Sequence, residues 1–433
     1  MSNKRIGGLG VIIGAVALIA VACGGGDNNS SATAAQPTSS PVATAAPSSA
    51  TTIPESPTET ASPPGSGAAR YSWEVTEVDG MGAKPSIAVD TAGTPYIAFM
   101  SEDMPGFLKS AVLTGDAWEL STVTSGYLYG PLDIDLAPDG TPQIVWHNHD
   151  NEDGSYARLE NGQWMNTDIP SSGHDGWDIN IAIDASGSPH VLSVDPAQFG
   201  SQNGLEYATF DGQAWTVETV GTGPLPYEFG NSIAIDSQDQ PHIVWFDAQD
   251  QDLKYALRDS SGWTISTVDS EGDVGRYPSL ALDQEGKPVV SYFQKLNESS
   301  GAIKLARWDG SQWNVQPIDE LDDVFPGFFG ARKNSSVLLN ADGNAIVAYS
   351  DESVLKLASW NGDGWDIETV TDAGDDPLGQ QVSMAMDPQG VLHLTFADVR
   401  QKSSPGVLGT VMYARGTPSA AARVIGDGTN TGG

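Results

Sequence analysis

The sequence is short of residue types that would open whole classes of function. It has one cysteine in 433 residues, so neither an internal disulfide nor a thiolate metal cluster can form. Basic residues are also scarce, with 20 Lys and Arg against 56 Asp and Glu, and the formal net charge is −36. A negative field of this size repels a phosphate backbone, which predicts that nucleic acid is not a partner. G-x-S-x-G, P-loop, H-E-x-x-H and Rossmann motifs are missing too, so nucleophile-based and nucleotide-based enzymes have no support.

The first 69 residues hold the one long apolar run of the chain. Lys4 and Arg5 precede the uncharged residues 6–22, which end in small side chains directly before Cys23. This resembles the signal of bacterial lipoproteins, with Ala20 where the family usually has Leu, and it implies that Cys23 is lipidated. We expect a protein held outside the cytoplasm by membrane lipid, as a monomer. The predicted divisions are a signal peptide (1–22), a disordered Ser/Thr/Ala/Pro-rich tether (23–69), a folded domain (70–418) and a flexible tail (419–433).

The folded region repeats with a period of about 50 residues. Four clear copies read SIAVDTAGTPYIAF, NIAIDASGSPHVLS, SIAIDSQDQPHIVW and SLALDQEGKPVVSY. Each copy contains an alternating strand, a tight turn, a β-branched strand, a Tyr-Ala or Leu-x-x-Ala strand and a strand that begins at tryptophan. The fifth residue of each copy forms a column, which reads Asp90, Ala137, Asp184, Asp236, Asp283, Asn340 and Asp387.

The tryptophans show how the repeats close. The fourth-strand positions are Trp73, Trp118, Trp164, Trp215, Trp263, Trp313 and Trp365. Trp73 precedes every aspartate of the column, and the last repeat has no tryptophan of its own. We therefore predict an all-β, seven-bladed β-propeller with four antiparallel strands per blade, in which the N-terminal strand closes the last blade. This closure removes the free sheet edges that an open solenoid would expose.

The repeat, with its D-x-x-G-x-P turn, Y-A strand and G-x-x-W strand, resembles bacterial sialidase-like propellers with repeats of the Asp-box (BNR) type. The resemblance covers the whole folded region and implies a propeller. In that family three arginines bind the substrate carboxylate. Arg276, Arg332 and Arg400 fall on the corresponding side here, but the F/Y-R-I-P segment is missing, so they are predicted only as ligand-binding residues.

Long, variable connections lie on one face of the predicted propeller, and long loops on a rigid scaffold are where binding sites are usually placed. The predicted ligand-binding residues on this long-loop face are Tyr127, Tyr129, Trp177, Tyr227, Arg276, Tyr277, Arg332, Arg400, Asp195, Asp247, Asp351 and Asp398. The four aspartates end second strands, where they are suited to Ca²⁺ or to sugar hydroxyls. Capping of local turns is the alternative for the aspartates. Packing of the loops is the alternative for the aromatic residues.

Histidines concentrate in the second repeat. His147 and His149 share one side of an extended chain, a spacing that suits two metal ligands, and Asp150 and His174 are the other predicted ligands. The alternative is that these are exposed loop residues. His190, His242 and His393 recur directly after the tight turn, and we interpret them as structural.

Three functions stay open at this point. The first is a ligand-binding surface lipoprotein, with a glycan as the preferred ligand. The second is an extracellular glycan hydrolase or lyase, and if the protein is an enzyme we expect a glycosidase-type hydrolase. The third is a scaffold that binds an envelope protein.

Overall fold

The computed structural model describes residues 70–80, 82–101, 106–128, 130–170, 176–195, 204–222, 230–322, 335–351, 353–372, 378–398 and 409–419. The predicted signal peptide, Cys23, the tether and most of the tail lie outside these ranges. No helix in the described ranges has the length and apolarity needed to cross a membrane.

The described ranges form 28 β-strands. In chain order they are β1 (Tyr71–Asp79), β2 (Gly82–Val89), β3 (Pro95–Ser101), β4 (Gly106–Thr114), β5 (Ala117–Gly126), β6 (Leu132–Leu136), β7 (Pro142–Asn148), β8 (Asp153–Glu160), β9 (Gln163–Asp168), β10 (Trp177–Ile183), β11 (Pro189–Asp195), β12 (Gly204–Phe210), β13 (Trp215–Thr222), β14 (Asn231–Ile235), β15 (Pro241–Asp247), β16 (Asp252–Asp259), β17 (Gly262–Asp269), β18 (Asp273–Leu282), β19 (Pro288–Lys295), β20 (Ser300–Trp308), β21 (Trp313–Asp322), β22 (Ser335–Leu339), β23 (Ala345–Asp351), β24 (Val354–Trp360), β25 (Trp365–Asp372), β26 (Leu378–Met386), β27 (Leu392–Asp398) and β28 (Thr410–Pro418).

The strands pair into seven four-stranded antiparallel sheets. Blade 1 is β2–β5, blade 2 is β6–β9, blade 3 is β10–β13, blade 4 is β14–β17, blade 5 is β18–β21 and blade 6 is β22–β25. Blade 7 has the order β1-β28-β27-β26. The first strand of each blade contacts the first strand of the next, and β26 contacts β2, so the ring is closed. The predicted seven-bladed propeller and its closure by the N-terminal strand are confirmed.

The closing strand is held by its tryptophan. Trp73 lies opposite Gly416, where a Cβ atom would come within 2.6 Å of the indole, so only glycine leaves room for the ring. The indole N–H of Trp73 donates to Glu368 of blade 6 at 3.1 Å. Arg70 pairs with Asp366 of the same blade at 2.6 Å. The N-terminal strand is therefore fixed to two blades.

The hydrophobic core lies between blades, and one buried apolar cluster fills each of the seven interfaces. Four of the seven fourth-strand tryptophans take part by packing edge-on against a third-strand tyrosine of the preceding blade. Aromatic pairs of this kind contribute about 0.5–1.5 kcal/mol each beyond the area that they bury. The pairs are Trp118–Tyr413, Trp215–Tyr156, Trp263–Tyr207 and Trp313–Tyr255, with ring centroids 5.1–5.4 Å apart.

The aspartate column caps the turn between first and second strands. Asp90 Oδ1, for example, accepts hydrogen bonds from the backbone N–H groups of Ala92 at 2.9 Å and Thr94 at 2.8 Å. Asp184, Asp236, Asp283, Asn340 and Asp387 accept the same two bonds in their own blades. The repeat that identifies the propeller is therefore a structural turn.

Candidate functional site

The turn between β7 and β8 in blade 2 carries the histidines of the candidate site. His147 is the sixth residue of β7 and is fully buried, while His149 and Glu152 are the first and last residues of the four-residue turn that follows. Glu152 has a positive φ of 60°, an uncommon backbone conformation for a residue with a side chain. This turn brings the carboxylate of Glu152 back onto the two imidazoles.

The three side chains form one compact group. His149 Nδ1 lies 3.3 Å from Glu152 Oε1, and His147 Nε2 lies 3.8 Å from Glu152 Oε2. The two imidazole rings meet edge-to-face, with centroids 4.5 Å apart. Within the described ranges this is the one group of three or more His, Cys, Asp or Glu residues whose ligand atoms all lie within 4.8 Å of one another.

Two aromatic rings border the group. Trp177, the first residue of β10 in blade 3, lies 4.5 Å from the ring of His147 and 5.5 Å from that of His149. Tyr127, directly after β5 of blade 1, lies 5.4 Å from the ring of His149. Trp177 is buried, whereas Tyr127 is 60% exposed. Three neighbouring blades therefore contribute to the site, and only Tyr127 presents an open aromatic surface.

Asp150 does not join the imidazoles. Its Oδ2 atom accepts a hydrogen bond from the backbone N–H of Tyr127 at 3.3 Å, and its own N–H donates to Asn148 Oδ1. Asp150 thus connects blade 2 to the segment that carries Tyr127. The carboxylate beside the imidazoles belongs to Glu152, which the sequence analysis did not select.

The strand-end aspartates are placed in separate surroundings. Asp351 pairs with Lys356 at 2.6 Å, and Asp247 accepts a hydrogen bond from the N–H of Gln249 within its own turn at 2.9 Å. Asp195 and Asp398 are almost fully buried. None of these four residues belongs to a group of metal-ligand spacing in the described ranges.

Arg276 and Tyr277, predicted as ligand-binding residues of the long-loop face, lie within β18 of blade 5. The guanidinium of Arg276 donates two hydrogen bonds to Asp273, at 2.7 and 2.8 Å, and stacks over the ring of Phe246 at 4.8 Å. Tyr277 has a φ of 52° in a bulge of the strand. The bulge lets the strand continue through this region. Arg276 is thereby paired with a carboxylate of its own strand.

Polar residues of the first strands line the central channel, and these residues were not among the predicted site residues. One small polar residue, four positions before each column member, comes from every blade: Ser86, Asp133, Asn180, Ser232, Ser279, Ser336 and Ser383. Most of them line a cavity of about 70 Å³. The regular spacing was the signal that could have found them.

Asp135 stands two residues after Asp133, where most blades have alanine. Its carboxylate accepts hydrogen bonds from the N–H groups of Leu136 and Ile183, at 2.8 and 2.9 Å. Removal from bulk water raises the pKa of Asp135 to about 7, despite those two hydrogen bonds.

A groove of about 560 Å³ lies between blades 5 and 6, on the face opposite the long loops. Trp360, Asn314 and the turn residues Glu285 and Asp342 border it. Arg307 crosses it and donates to the carbonyl of Gly343 at 2.7 Å. No sequence motif marks this groove, because its wall combines turns of two blades.

The remaining predicted site residues lie outside the described ranges. They are Tyr129, His174, Tyr227, Arg332 and Arg400.

This chain is similar to known proteins in three-dimensional structure. No family model and no curated protein matches the sequence. An ulvan lyase of polysaccharide lyase family PL25, solved bound to -[GlcA(1-4)Rha3S]-, matches 81% of this chain and 99% of its own, with 12% identity and a TM-score of 0.54. An Aleuria aurantia lectin mutant in complex with α-methyl-L-fucoside matches 69% of this chain and 99% of its own, with 16% identity and a TM-score of 0.45. The NanB sialidase of Streptococcus pneumoniae matches 80% and 70%, with 10% identity and a TM-score of 0.43. At these identities the similarity concerns the fold, and this chain has the propeller architecture that the ulvan lyase also adopts.

Proposed function

We propose that this protein is a glycan-binding propeller, anchored by lipid outside the cytoplasm, that binds its ligand at Tyr127, His149 and Glu152 on the long-loop face. The observation that carries the proposal is the exposed ring of Tyr127, which lies against the imidazole of His149, while His149 in turn contacts the carboxylate of Glu152. The ulvan lyase with its bound saccharide supports the proposal to the extent that a related fold can present a glycan site.

The chemistry of this group suits a sugar. The C–H face of a pyranose packs on an open aromatic ring, and its hydroxyl groups donate to carboxylates or exchange hydrogen bonds with imidazole. Binding sites for small molecules combine apolar surface with a few fixed polar groups in this way. The net charge of −36 adds a selection, since it repels polyanions. We therefore propose neutral glycans as the ligand class.

The location of the protein is part of the same proposal. The basic pair, the apolar run and Cys23 support lipid attachment, and the tether over 23–69 would hold the propeller away from the membrane surface. Metabolic labelling with a fatty-acid analogue tests this part. We expect the label on the wild-type protein and none on the Cys23→Ala variant.

A glycan array followed by calorimetric titration tests the binding site. We expect binding to neutral glycans, and Tyr127→Ala should weaken it by at least about tenfold, or about 1.4 kcal/mol, because the stacking surface is lost. Leu120→Ala is the matched control, since Leu120 is an exposed apolar residue of β5, the strand that leads to Tyr127. Equal binding by the Tyr127→Ala variant would move the site elsewhere. Silence on the array would favour a protein partner.

A second candidate is a glycan lyase or hydrolase at the same position. It is favoured by the contact of His149 with Glu152, because an imidazole and a carboxylate in contact can transfer a proton to or from a bound sugar. Incubation of the bound glycan with the wild-type protein and with Glu152→Gln separates the two functions. A binder leaves the chain length of the glycan unchanged, whereas an enzyme releases fragments that the variant does not.

A further inference from the structure

We propose that His147, His149 and Glu152 bind one divalent transition-metal ion of the zinc class. The inference does not depend on glycan binding, and its test contains no sugar. It is carried by the donor set, by the spacing of the ligand atoms and by a second turn of the molecule that has the same backbone without the ligands.

The donor set selects the class of metal. Imidazole nitrogen is a good ligand for Zn²⁺, Co²⁺, Ni²⁺ and Cu²⁺, whereas Ca²⁺ and Mg²⁺ prefer sites made only of oxygen. Two histidines with one glutamate form a known zinc ligand set, and three protein ligands leave a coordination position open. This site would therefore hold a different metal from the Ca²⁺ that the strand-end aspartates suggested.

The spacing of the atoms is close to that of an assembled site. Bonds of about 2.0–2.1 Å at tetrahedral angles place neighbouring ligand atoms about 3.3–3.4 Å apart. In the structure, Glu152 Oε1 lies 3.3 Å from His149 Nδ1, and Glu152 Oε2 lies 3.8 Å from His147 Nε2. One ligand atom from each of the three residues lies within 4.8 Å of the other two, so the side chains must move somewhat closer together to hold one ion. The side chain of Glu152 is 36% exposed, so an ion can reach the group.

The surroundings fix His147 in place. Its ring lies against Trp177, and its backbone N–H donates to the carbonyl of Pro131 at 3.2 Å. At Gly130 a Cβ atom would come within 2.8 Å of the Cβ of His147, so glycine permits this close approach. A ligand held in one orientation loses little conformational entropy on binding, which favours a preformed site.

Blade 4 contains the same turn without the ligands. Asp247 pairs with Asp252 across a four-residue turn, as Asn148 pairs with Asp153, and Gln251 has a φ of 61° against 60° for Glu152. The residues that correspond to His147, His149 and Glu152 are Phe246, Ala248 and Gln251. The backbone of the turn therefore requires neither imidazole nor carboxylate. The three ligands of blade 2 replace an apolar or neutral set together, as a binding site would require.

The test uses the full-length protein, stripped of metal with EDTA and titrated with ZnCl₂, with Co²⁺ as a spectroscopic probe. We expect one tight Zn²⁺ site per chain and a Co²⁺ visible spectrum with nitrogen ligation and low coordination number. The double substitution His149→Ala with Glu152→Gln installs the blade 4 residues, so the turn should keep its fold. We expect it to weaken Zn²⁺ binding by at least about a hundredfold. It removes two direct ligands, and the loss of one outer-shell partner alone already costs about 10–100-fold in metal affinity.

The controls distinguish Zn²⁺ binding at this site from Zn²⁺ binding at the many surface carboxylates. Gln251→Ala, in the corresponding turn of blade 4, should leave the Zn²⁺ affinity unchanged, and the metal-free circular dichroism of each variant should match the wild type. An unchanged affinity in the double variant would overturn the proposal. Zn²⁺ binding that saturates only in the millimolar range, or a Co²⁺ spectrum of an all-oxygen octahedral site, would overturn it too.

Discussion

Histidines occur at both ends of the second strands, and the two ends have different surroundings. His190, His242 and His393 are each the second residue of a second strand, on the face of the tight turns. In each case Nδ1 is hydrogen-bonded to a third-strand tyrosine hydroxyl, and Nε2 faces the column aspartate at 3.3–3.5 Å. His147 is the sixth residue of its strand, on the other face, and contacts His149, Glu152 and Trp177.

The first arrangement occurs in three blades, whereas the second occurs in blade 2 alone among the described residues. A His–Tyr–Asp network that recurs in blades 3, 4 and 7 answers a requirement of the blade, which confirms the structural interpretation of those three histidines. At the sixth position, five of the other six blades have apolar side chains: Met100, Val194, Phe246, Phe293 and Ala397. A buried imidazole is costly at such a place unless its nitrogens are hydrogen-bonded or bound to a ligand. Repeated polar residues should therefore control stability, and singular ones should control ligand binding.

The largest expected effect is on stability at the repeated position. His393→Ala removes a buried imidazole and leaves the Tyr413 hydroxyl and the Asp387 carboxylate short of a partner, which should cost about 2–4 kcal/mol of unfolding free energy. Urea unfolding measures the loss, and Zn²⁺ titration of the same variant should give the wild-type affinity. A loss below about 0.5 kcal/mol would mean that this network does not hold the blade.

The pH dependence of stability is the next effect. Burial lowers the pKa of His190, His242 and His393, although the neighbouring aspartates act in the opposite direction. Histidine in the unfolded chain has a pKa of about 6.5, so below that pH these three histidines bind more protons in the unfolded chain than in the folded protein. The free energy of unfolding therefore falls as the pH decreases. Each histidine contributes at most about 1.4 kcal/mol per pH unit in this window.

Asp135 works against this trend. Its pKa of about 7 means that the folded protein takes up a proton that the unfolded chain does not bind until far lower pH, so Asp135 offsets about one histidine. Asp135 is present in both the wild type and His393→Ala, so its contribution cancels when the two proteins are compared. Urea unfolding at about pH 6.5 and about pH 5.5 should show a smaller loss for His393→Ala than for the wild type. An equal loss of unfolding free energy in the variant and the wild type would show that His393 binds protons equally in the folded and unfolded states.

Much of this molecule could be predicted from the repeats. The repeated column, with five aspartates, Asn340 and Ala137, predicted seven tight turns, and the position of Trp73 before the first of them predicted the closure by β1. His147, His149, Trp177 and Tyr127 are all site residues predicted from the sequence, and the structure brings these four together from three blades. Their common feature is a location on the long-loop face, which alternation along the strands determines.

The missed residues depend on backbone details that a pattern does not show. Glu152 reaches the imidazoles because its φ is positive, and only alignment of NHDNED with DAQDQD of blade 4 would have pointed to that turn. Asp150 was predicted as a metal ligand with His147 and His149 at the end of the second strand, but its carboxylate accepts a hydrogen bond from the backbone N–H of Tyr127. Arg276 was predicted as a ligand-binding residue of the long-loop face, but its guanidinium is paired with Asp273, and the bulge at Tyr277 has no marker in the sequence.

The smallest and sharpest effect would come from building the site in blade 4. Phe246→His, Ala248→His and Gln251→Glu would place the three ligands on the matching turn. We expect a second Zn²⁺ equivalent, bound at least about tenfold more weakly than the first. The positive guanidinium of Arg276 lies over the side chain at position 246 and would repel the ion, whereas His147 packs against the uncharged ring of Trp177. Arg276→Trp in the same background should recover part of the difference, and calorimetry counts both sites. If the graft binds no metal even when it is combined with Arg276→Trp, the backbone of the turn does not determine the ligand geometry. The three residues of blade 2 would then depend on neighbours such as Gly130 and Tyr127 for their arrangement.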